Sequence, residues 1–323
     1  MTTKKSAEKK LVSIKKSPKS LGKPMKGRDI LVKALVNEGV KVIFGYPGGA
    51  SMEIHQGLTL APKIRMVLPR HEQGGSFAAG GYARATGEVG VCLATSGPGA
   101  TNLITGIIDA KMDSIPIIAI TGQVPSTVLG SDAFQETDIM GATFPLVKHS
   151  YMIQNVAEIP RIIHEAFHIA RTGRPGPVLV DIPKNIQQQE GVADFDVTFD
   201  VPSYRPNLKP SILQCKKAAH TIQAAKRPII YAGGGIISSG ASAELRAFVK
   251  KTGIPVTTTV MGLGAYPSTD PLSLRMLGMH GAVYANIAMN HADLVIAMGV
   301  RFDDRVTGKL AEFCKNAQII HID

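Results

Sequence analysis

The chain carries short, unbroken apolar runs, each separated from the next by a helical pattern. Val89–Ala94, Pro116–Thr121 and Val178–Ile182 are too short for buried helices and do not alternate between apolar and polar residues. Strands of that kind are covered on both faces, which calls for a parallel sheet flanked by helices. Further strands are expected at Lys41–Phe44, Ile64–Leu68 and Ser150–Ile153. Helical periodicity marks Ala100–Lys111, Ala157–Arg171 and a face of Ile30, Leu31, Ala34 and Leu35 closed by Gly39. The rhythm fails from Gln187 to Pro210, a polar stretch with Pro202, Pro206 and Pro210 that reads as a linker. A second series begins at Ser211, with a helix to Ala225, strands at Pro228–Ala232, Pro255–Val260, Asp293–Met298 and Gln318–Ile322, and a helix near Ala243–Lys251. The expected fold class is therefore α/β, with two consecutive doubly wound parallel-sheet domains at 28–190 and 211–323. A basic tail at 1–27 precedes them and a linker at 191–210 joins them. Because the last residues, His321–Ile322–Asp323, read as the end of a strand, the chain is expected to be a truncated one.

The formal net charge of +11 is misleading about the folded part. Met1 to Arg28 holds ten Lys or Arg and a single acid, Glu8, so the tail alone supplies +9 and the body is near +2. That body gives no reason to expect a nucleic-acid partner, and no apolar run reaches the roughly 18–20 residues that span a bilayer. The tail reads as a disordered, solvated arm. It has no apolar core for a signal peptide, and it is Lys-rich, a poor match to an organelle leader, with a plastid location left open. Cys92, Cys215 and Cys314 are widely spaced and show no metal or redox pattern. Their odd number fits a reducing compartment, and a cytoplasmic location is the expectation.

The residues that carry chemistry cluster at strand-to-helix turns. In LPRHEQGGSFAAGGYARATG, Leu68 to Gly87, a short strand leads into a small-residue helix over Phe77–Ala85, and Glu72 falls between them. Open α/β sheets bind ligands along that edge, and a helix N-terminus stabilises negative charge there. A first-turn Glu that merely complements the helix dipole is the alternative. Three further glycine-rich turns follow strands nearby, at YPGGA 46–50, TSGPGATN 95–102 and TGQVPS 121–126. One acid among backbone-exposing turns looks like a cofactor site.

With GYPGGA, RHEQGGSFAAGGYARATG, TSGPGATNLITGI, ITGQVPS, DAFQE, RPGPVLVDIPK, GLGAYP, MLGMHG and the run Gly299–Lys309, the chain resembles the acetohydroxyacid (acetolactate) synthases from about Gly27 to Asp323. The first four motifs occur in varied forms across thiamine-diphosphate enzymes; DAFQE and RFDDRVTGK are far more restricted and point to the FAD-containing synthases. The resemblance implies a pyrimidine-binding domain followed by a Rossmann-like FAD-binding central domain, with a third domain missing. It also implies a thiamine-diphosphate-dependent transferase that joins pyruvate to a second 2-keto acid, pyruvate or 2-ketobutyrate, with loss of CO2. That is the first common step of branched-chain amino-acid biosynthesis. Glu72 would bond a pyrimidine ring nitrogen and favour the imino form that takes the cofactor's C2 proton, a task helped by burial and a raised pKa. Tyr46, Pro47, Gly48, Gly49 and Asn102 would line the pyrimidine, the glycines permitting close approach; a plain turn is the alternative for 46–49.

Gln123, Phe134 and Gln135 would border the reacting carbonyl, Phe134 being an ordinary core residue otherwise. Lys184 would attract an anionic substrate, or else be a solvated charge. Arg305 would select the second keto acid through its planar fork, or else pair with Asp303 or Asp304. FAD, structural because the reaction has no net redox change, would be held by Gly233, Gly234 and Gly235, whose backbone N–H groups are presented after a strand. Arg174, Thr259, Leu277, Gly278, Met279, His280, Gly299, Arg301, Asp304 and Asp323 would complete that site. No metal is expected on this chain, since His280 has no partner at ligand spacing. Magnesium and the diphosphate would be held by the missing domain through a GDG…N motif. The resemblance further implies a homodimer or tetramer with a small regulatory subunit, and a fragment inactive alone. A pyruvate oxidase or 2-keto-acid decarboxylase, and a nucleotide-binding scaffold without carboligation, are the competing readings.

Overall fold

The computed structural model describes residues 22–196, 201 and 203–323. It divides into two compact units, one ending at Tyr204 and the other beginning at Arg205. The expected disordered arm falls outside the described residues over 1–21, as does the expected linker at 197–200 and 202.

In the first unit six strands form one parallel sheet: β1 (Val42–Gly45), β2 (Arg65–Val67), β3 (Gly90–Ala94), β4 (Ile117–Gln123), β5 (His149–Met152) and β6 (Val178–Pro183). Their order is β2-β1-β3-β4-β6-β5. Every residue of β3, β4 and β6 is buried, as the unbroken apolar runs require of central strands. Ile118, Ile120, Val178 and Val180 share a core with Ile30 and Leu35 of the first helix and with Ile159, Ile163 and Phe167 of the helix Ile159–Arg171. The chain runs outward from β1 to β2 and then returns to place β3 on the other side of β1. The topological switch point therefore lies between β1 and β3, where open sheets form their ligand crevices.

The expected helix over Phe77–Ala85 is longer, Glu72–Thr86, and Glu72 is its first residue. Its small side chains are needed for packing. A Cβ at Gly90 would lie 2.1 Å from the Ala79 carbonyl oxygen, and one at Gly106 would lie 2.2 Å from Ser76 Oγ. Arg84 ties the same helix to the helix Ile104–Met112 and its end, through Asp109 at 2.9 Å and Asp113 at 2.8 Å.

Two segments depart from expectation. Met25–Lys26, assigned to the tail, pair antiparallel with Glu190–Gly191, and Gly27 donates its N–H to the Gln189 carbonyl at 2.8 Å. A Cβ on Gly27 would lie 2.0 Å from the Ile186 oxygen, so the folded part begins before Arg28 and absorbs the start of the linker. Periodicity gave no sign of this because a two-residue ladder is too short to have a period.

The second unit holds a five-stranded parallel sheet: β7 (Pro228–Ala232), β8 (Val256–Thr258), β9 (Ser273–Met276), β10 (Leu294–Met298) and β11 (Gln318–Ile322), in the order β9-β8-β7-β10-β11. Its switch point lies between β7 and β10. Strand β9 is an addition to the expected set. Its sequence SLRM carries Arg275 at φ 57°, so neither alternation nor an apolar run announces it. Among the described residues no helix is long and apolar enough to cross a membrane.

Gly90→Ala should cost about 1–3 kcal/mol, because the new methyl meets backbone rather than a movable side chain. Chemical denaturation of the two proteins checks this; equal midpoints would show that the helix Glu72–Thr86 is not pressed against β3 as described.

Candidate active site

The turn after β3, Thr95–Asn102, sits at the first switch point and touches the turn at 46–50 and Glu72. Thr95 is buried, and its Oγ1 accepts the Ala50 N–H at 3.0 Å. A Cβ on Gly48 would lie 2.5 Å from Thr95 Cγ2, and one on Gly99 would lie 2.7 Å from the same atom. Gly48 and Gly99 are therefore glycines because a threonine occupies the room a side chain would need. Tyr46 joins the cluster through its N–H, which donates to the Leu93 carbonyl at 3.1 Å. Tyr46, Pro47 and Gly49 face solvent, and nothing lies within 4 Å of where a Gly49 Cβ would stand.

Glu72 enters from the neighbouring strand. His71 caps its helix by accepting the Gln73 N–H on Nδ1 at 3.1 Å, which fixes the turn. The Glu72 carboxylate is half-buried and accepts from Asn102 Nδ2 on Oε2 at 3.0 Å. Among the described residues no hydrogen bond reaches Oε1, which stands 3.5 Å from the Gly99 Cβ position. One carboxylate oxygen is thus anchored, and the other has no hydrogen-bond partner among the described residues. The structure brings Glu72, Asn102 and the turns at 46–49 and 95–102 together.

Gly97, at φ 55°, admits the DAFQE segment. Its Cβ position is 2.8 Å from the Gln135 carbonyl oxygen, and Gln135 itself is at φ 60°. Gln135 and Phe134 are exposed, Phe134 by 88%, which removes the alternative that Phe134 is ordinary core. Glu136 was not singled out in the sequence, yet its carboxylate holds this loop by accepting the N–H groups of Gly130 and of Ala133, the latter at 2.9 Å. Those two bonds hold its pKa below the usual carboxylate value.

Gln123 departs from the sequence expectation. It is 2% exposed, its Nε2 donates to Asp181 Oδ2 at 3.0 Å and to the Thr137 carbonyl at 3.0 Å, and its Oε1 accepts the Val124 N–H at 2.9 Å. The amide is saturated inside the protein and offers nothing to a reacting carbonyl. Asp181, fully buried, also accepts from Thr121 Oγ1 at 2.7 Å, and burial pushes its carboxyl up to about 7. Lys184 opens the short helix Lys184–Gln188, half-buried beside the end of β4.

The second unit gathers most of its nominated residues along one sheet edge, by a different means than expected. The N–H of Gly233 donates to Met298 at 2.9 Å and that of Gly235 to Gly299 at 3.0 Å. Those two amides are spent within the protein and are not presented to a ligand. Gly233 and Gly235 are required because Cβ atoms there would lie 2.2 Å from Gly299 O and 2.5 Å from Gly299 Cα. Gly234 meets only Met261, at 3.0 Å.

Thr259 donates its N–H to Ala232 and caps a turn by accepting from Gly262 N. Leu277–His280 are tied to Arg305, whose carbonyl accepts the Met279 N–H at 2.8 Å, while Asn286 clamps Gly278 through both amide atoms. Gly299 N donates to Ile322, next to Asp323. Arg301 pairs with Asp303, which also caps the helix Asp304–Thr307. That removes the alternative for Arg305, whose exposed side chain makes no ion pair among the described residues. Arg174 stands apart from this set. It belongs to the first unit, where its Nε donates to Ser114 Oγ at 2.8 Å. Among the described residues no group of three or more His, Cys, Asp and Glu could hold a metal ion.

The cleft and its sheets match two family descriptions: "Thiamine pyrophosphate enzyme, N-terminal TPP binding domain" over residues 25–142, and "Thiamine pyrophosphate enzyme, central domain" over residues 215–323. The class is therefore that of the thiamine pyrophosphate enzymes. Relatives include acetolactate synthase 3, chloroplastic, of Brassica napus, 58% identical over 302 residues, with 93% of this chain and 46% of the relative covered. Acetolactate synthase, chloroplastic, of Arabidopsis thaliana is 57% identical, with 93% and 45% covered. Acetolactate synthase 1, chloroplastic, of Oryza sativa subsp. japonica is 59% identical, with 93% and 47% covered. The chain belongs to the acetolactate synthase family, and it spans about half the length of the curated relatives it matches.

These relatives overturn the cytoplasmic expectation, since each is described as chloroplastic. Cysteine usage misled here because free thiols report a reducing environment and not which compartment provides it. Cys92, Cys215 and Cys314 are all free.

The buried Asp181 gives a pH prediction. A carboxyl raised to about 7 in the folded protein, against 3.8 ordinarily, contributes stability that is present below the lower value and lost as pH rises through the upper one. Between pH 5 and 8 the wild-type chain should lose about 2–3 kcal/mol relative to Asp181→Asn. Urea midpoints of both proteins across that range test it, and a constant difference between them would contradict it.

Proposed function

We propose that this chain supplies the pyrimidine-binding and flavin-binding parts of an acetolactate synthase. In this reading the whole protein is a transferase that joins pyruvate to a second 2-keto acid, pyruvate or 2-ketobutyrate, with loss of CO2. The observation that carries the reading is the half-anchored Glu72 carboxylate, bonded by Asn102 on one oxygen and, among the described residues, without a hydrogen bond on the other, which stands beside Gly99. Bound thiamine diphosphate supplies the nucleophilic carbon and the electron sink.

The residues of the chain supply position and protons. Glu72 would hold the pyrimidine ring through Oε1 and could share a proton with a ring nitrogen, at the start of a helix whose dipole steadies the carboxylate when it is charged. Asn102 keeps that carboxylate from turning away. Gly49, with nothing where a Cβ would stand, would let the 46–49 turn come close to the ring, with Tyr46, Pro47 and Gly48 alongside. Phe134 and Gln135 present side chains over the cleft, and the cations Lys184 and Arg305 draw in carboxylate substrates. A guanidinium fork suits the second keto acid, because it can grip a carboxylate by two parallel bonds.

FAD in a structural role fits the switch-point edge of the second sheet. The loops at Gly233–Gly235, Thr259, Leu277–His280, Gly299–Asp304 and Asp323 would hold it by shape and side-chain contacts more than through the amides of Gly233 and Gly235. Arg174 is likewise proposed as a flavin contact, on the resemblance alone. Magnesium and the diphosphate call for a GDG…N segment, which this sequence does not contain. We further propose a homodimer or tetramer in which another subunit faces Glu72, a small regulatory subunit, and a plastid location.

Product analysis tests the reading. The complete synthase given pyruvate should form acetolactate; acetyl phosphate or acetaldehyde as the main product would contradict it. The 323-residue chain supplied with thiamine diphosphate, magnesium and FAD should show no turnover, and measurable acetolactate from it would overturn the proposed need for a further segment.

A further inference from the structure

The connection from β4 to the helix Ile139–Thr143 carries Phe134 and Gln135, and both of its ends meet one buried side chain. Gln123 Oε1 accepts from Val124, the first residue of the connection, at 2.9 Å. Gln123 Nε2 donates to the carbonyl of Thr137, where the connection closes, at 3.0 Å. The same Nε2 donates its other proton to Asp181 Oδ2 at 3.0 Å, and Asp181 is fixed in turn by Thr121 at 2.7 Å. Thr121 and Asp181 are partners in the β4–β6 register, so the anchor stands on the two most buried strands of that edge.

We propose that Asp181 and Gln123 form a positioning clamp that closes the base of the 124–137 loop and so fixes where Phe134 and Gln135 stand. The assignment of a substrate-facing role to that loop rests on the synthase reading above; the clamp itself does not. Gln123 is then a positioning residue, and its burial explains why it has no free group to offer a substrate.

Hydrogen-bond chemistry makes Asp181 the anchor. A primary amide can rotate about its last bond, and its two protons and one oxygen must all be matched for it to span two loop ends. Asp181 takes one proton from inside the sheet and so selects the rotation that leaves the other proton for Thr137 and the oxygen for Val124. Asparagine at 181 can do the same after an amide flip. Its oxygen then accepts from Gln123, and its NH2 donates to the Thr121 hydroxyl. Leucine cannot. Glu136 holds the outer half of the loop by the N–H groups of Gly130 and Ala133, so the competing possibility is that Glu136 suffices alone.

The sequence contains no Trp, so Phe134→Trp gives a single fluorophore at a position that is 88% exposed. In that background Gln123→Met and Asp181→Leu should lower the Trp anisotropy and raise the acrylamide quenching constant by about two-fold or more, as local opening frees the loop. Asp181→Asn should restore the parent values. Ile163→Ala, a core change in the same unit, should leave both unchanged while lowering global stability. Unchanged anisotropy in Gln123→Met, an equal drop in Ile163→Ala, or failure of Asp181→Asn to restore the signal would each overturn the clamp.

A second readout needs no variant that must fold. In the parent chain the Val124 amide should exchange with deuterium at least about ten-fold more slowly than that of Phe134, and equal exchange would overturn the proposal. None of these measurements requires turnover. Loss of the clamp would leave the synthase reading standing, and an unexpected product would leave the clamp standing.

Discussion

The first unit depends on how closely the turn Thr95–Asn102 can lie against its neighbours. Its glycines remove the side chains that would hold the other turns away. Thr95 then fills the space at Gly48 and Gly99 and bonds Ala50, Gly97 takes the Gln135 backbone, and Asn102 reaches Glu72. This turn lies at the switch point between β1 and β3, where the connections leaving two paired strands run in opposite directions, the place where open sheets form ligand crevices. A side chain at Gly97 would face both a φ of 55° and a carbonyl oxygen at 2.8 Å. These turns thus meet mostly through backbone, with the Glu72 carboxylate held beside them by Asn102.

Much of this was legible in the sequence, for physical reasons. Central parallel strands are buried on both faces, so β3, β4 and β6 appear as unbroken apolar runs. Glu72 was legible because a strand, a turn and a run of Gly, Ala and Ser have one economical arrangement, a helix pressed on a sheet. What stayed hidden depends on register between distant segments. Gln123 and Asp181 are 58 residues apart, and nothing local says that both side chains point into the same interior. The same holds for Thr95, whose importance lies in atoms 45 residues away at Ala50. Glu136 could have been noticed, since an acid closing a short Gly- and Ala-containing loop often accepts that loop's amides.

The second unit shows the opposite error. A glycine run after a strand suggested exposed N–H groups, but β10 lies next to β7, and the Met298 and Gly299 carbonyls take the amides of Gly233 and Gly235. Glycine there serves close packing across a switch point, which a sequence motif cannot distinguish from phosphate binding. The location of the edge was readable while its chemistry was not.

The central claim is that Glu72, steadied by Asn102, drives the proton shift that activates the cofactor. Exchange of the C2 proton of thiamine diphosphate bound to the complete synthase, followed by quenched-flow NMR, isolates that step from substrate binding and from carboligation. Glu72→Gln should bind the cofactor and slow the exchange by at least about 100-fold, the range expected for loss of a positioned acid–base group. Exchange at the wild-type rate with the cofactor still bound would contradict the account.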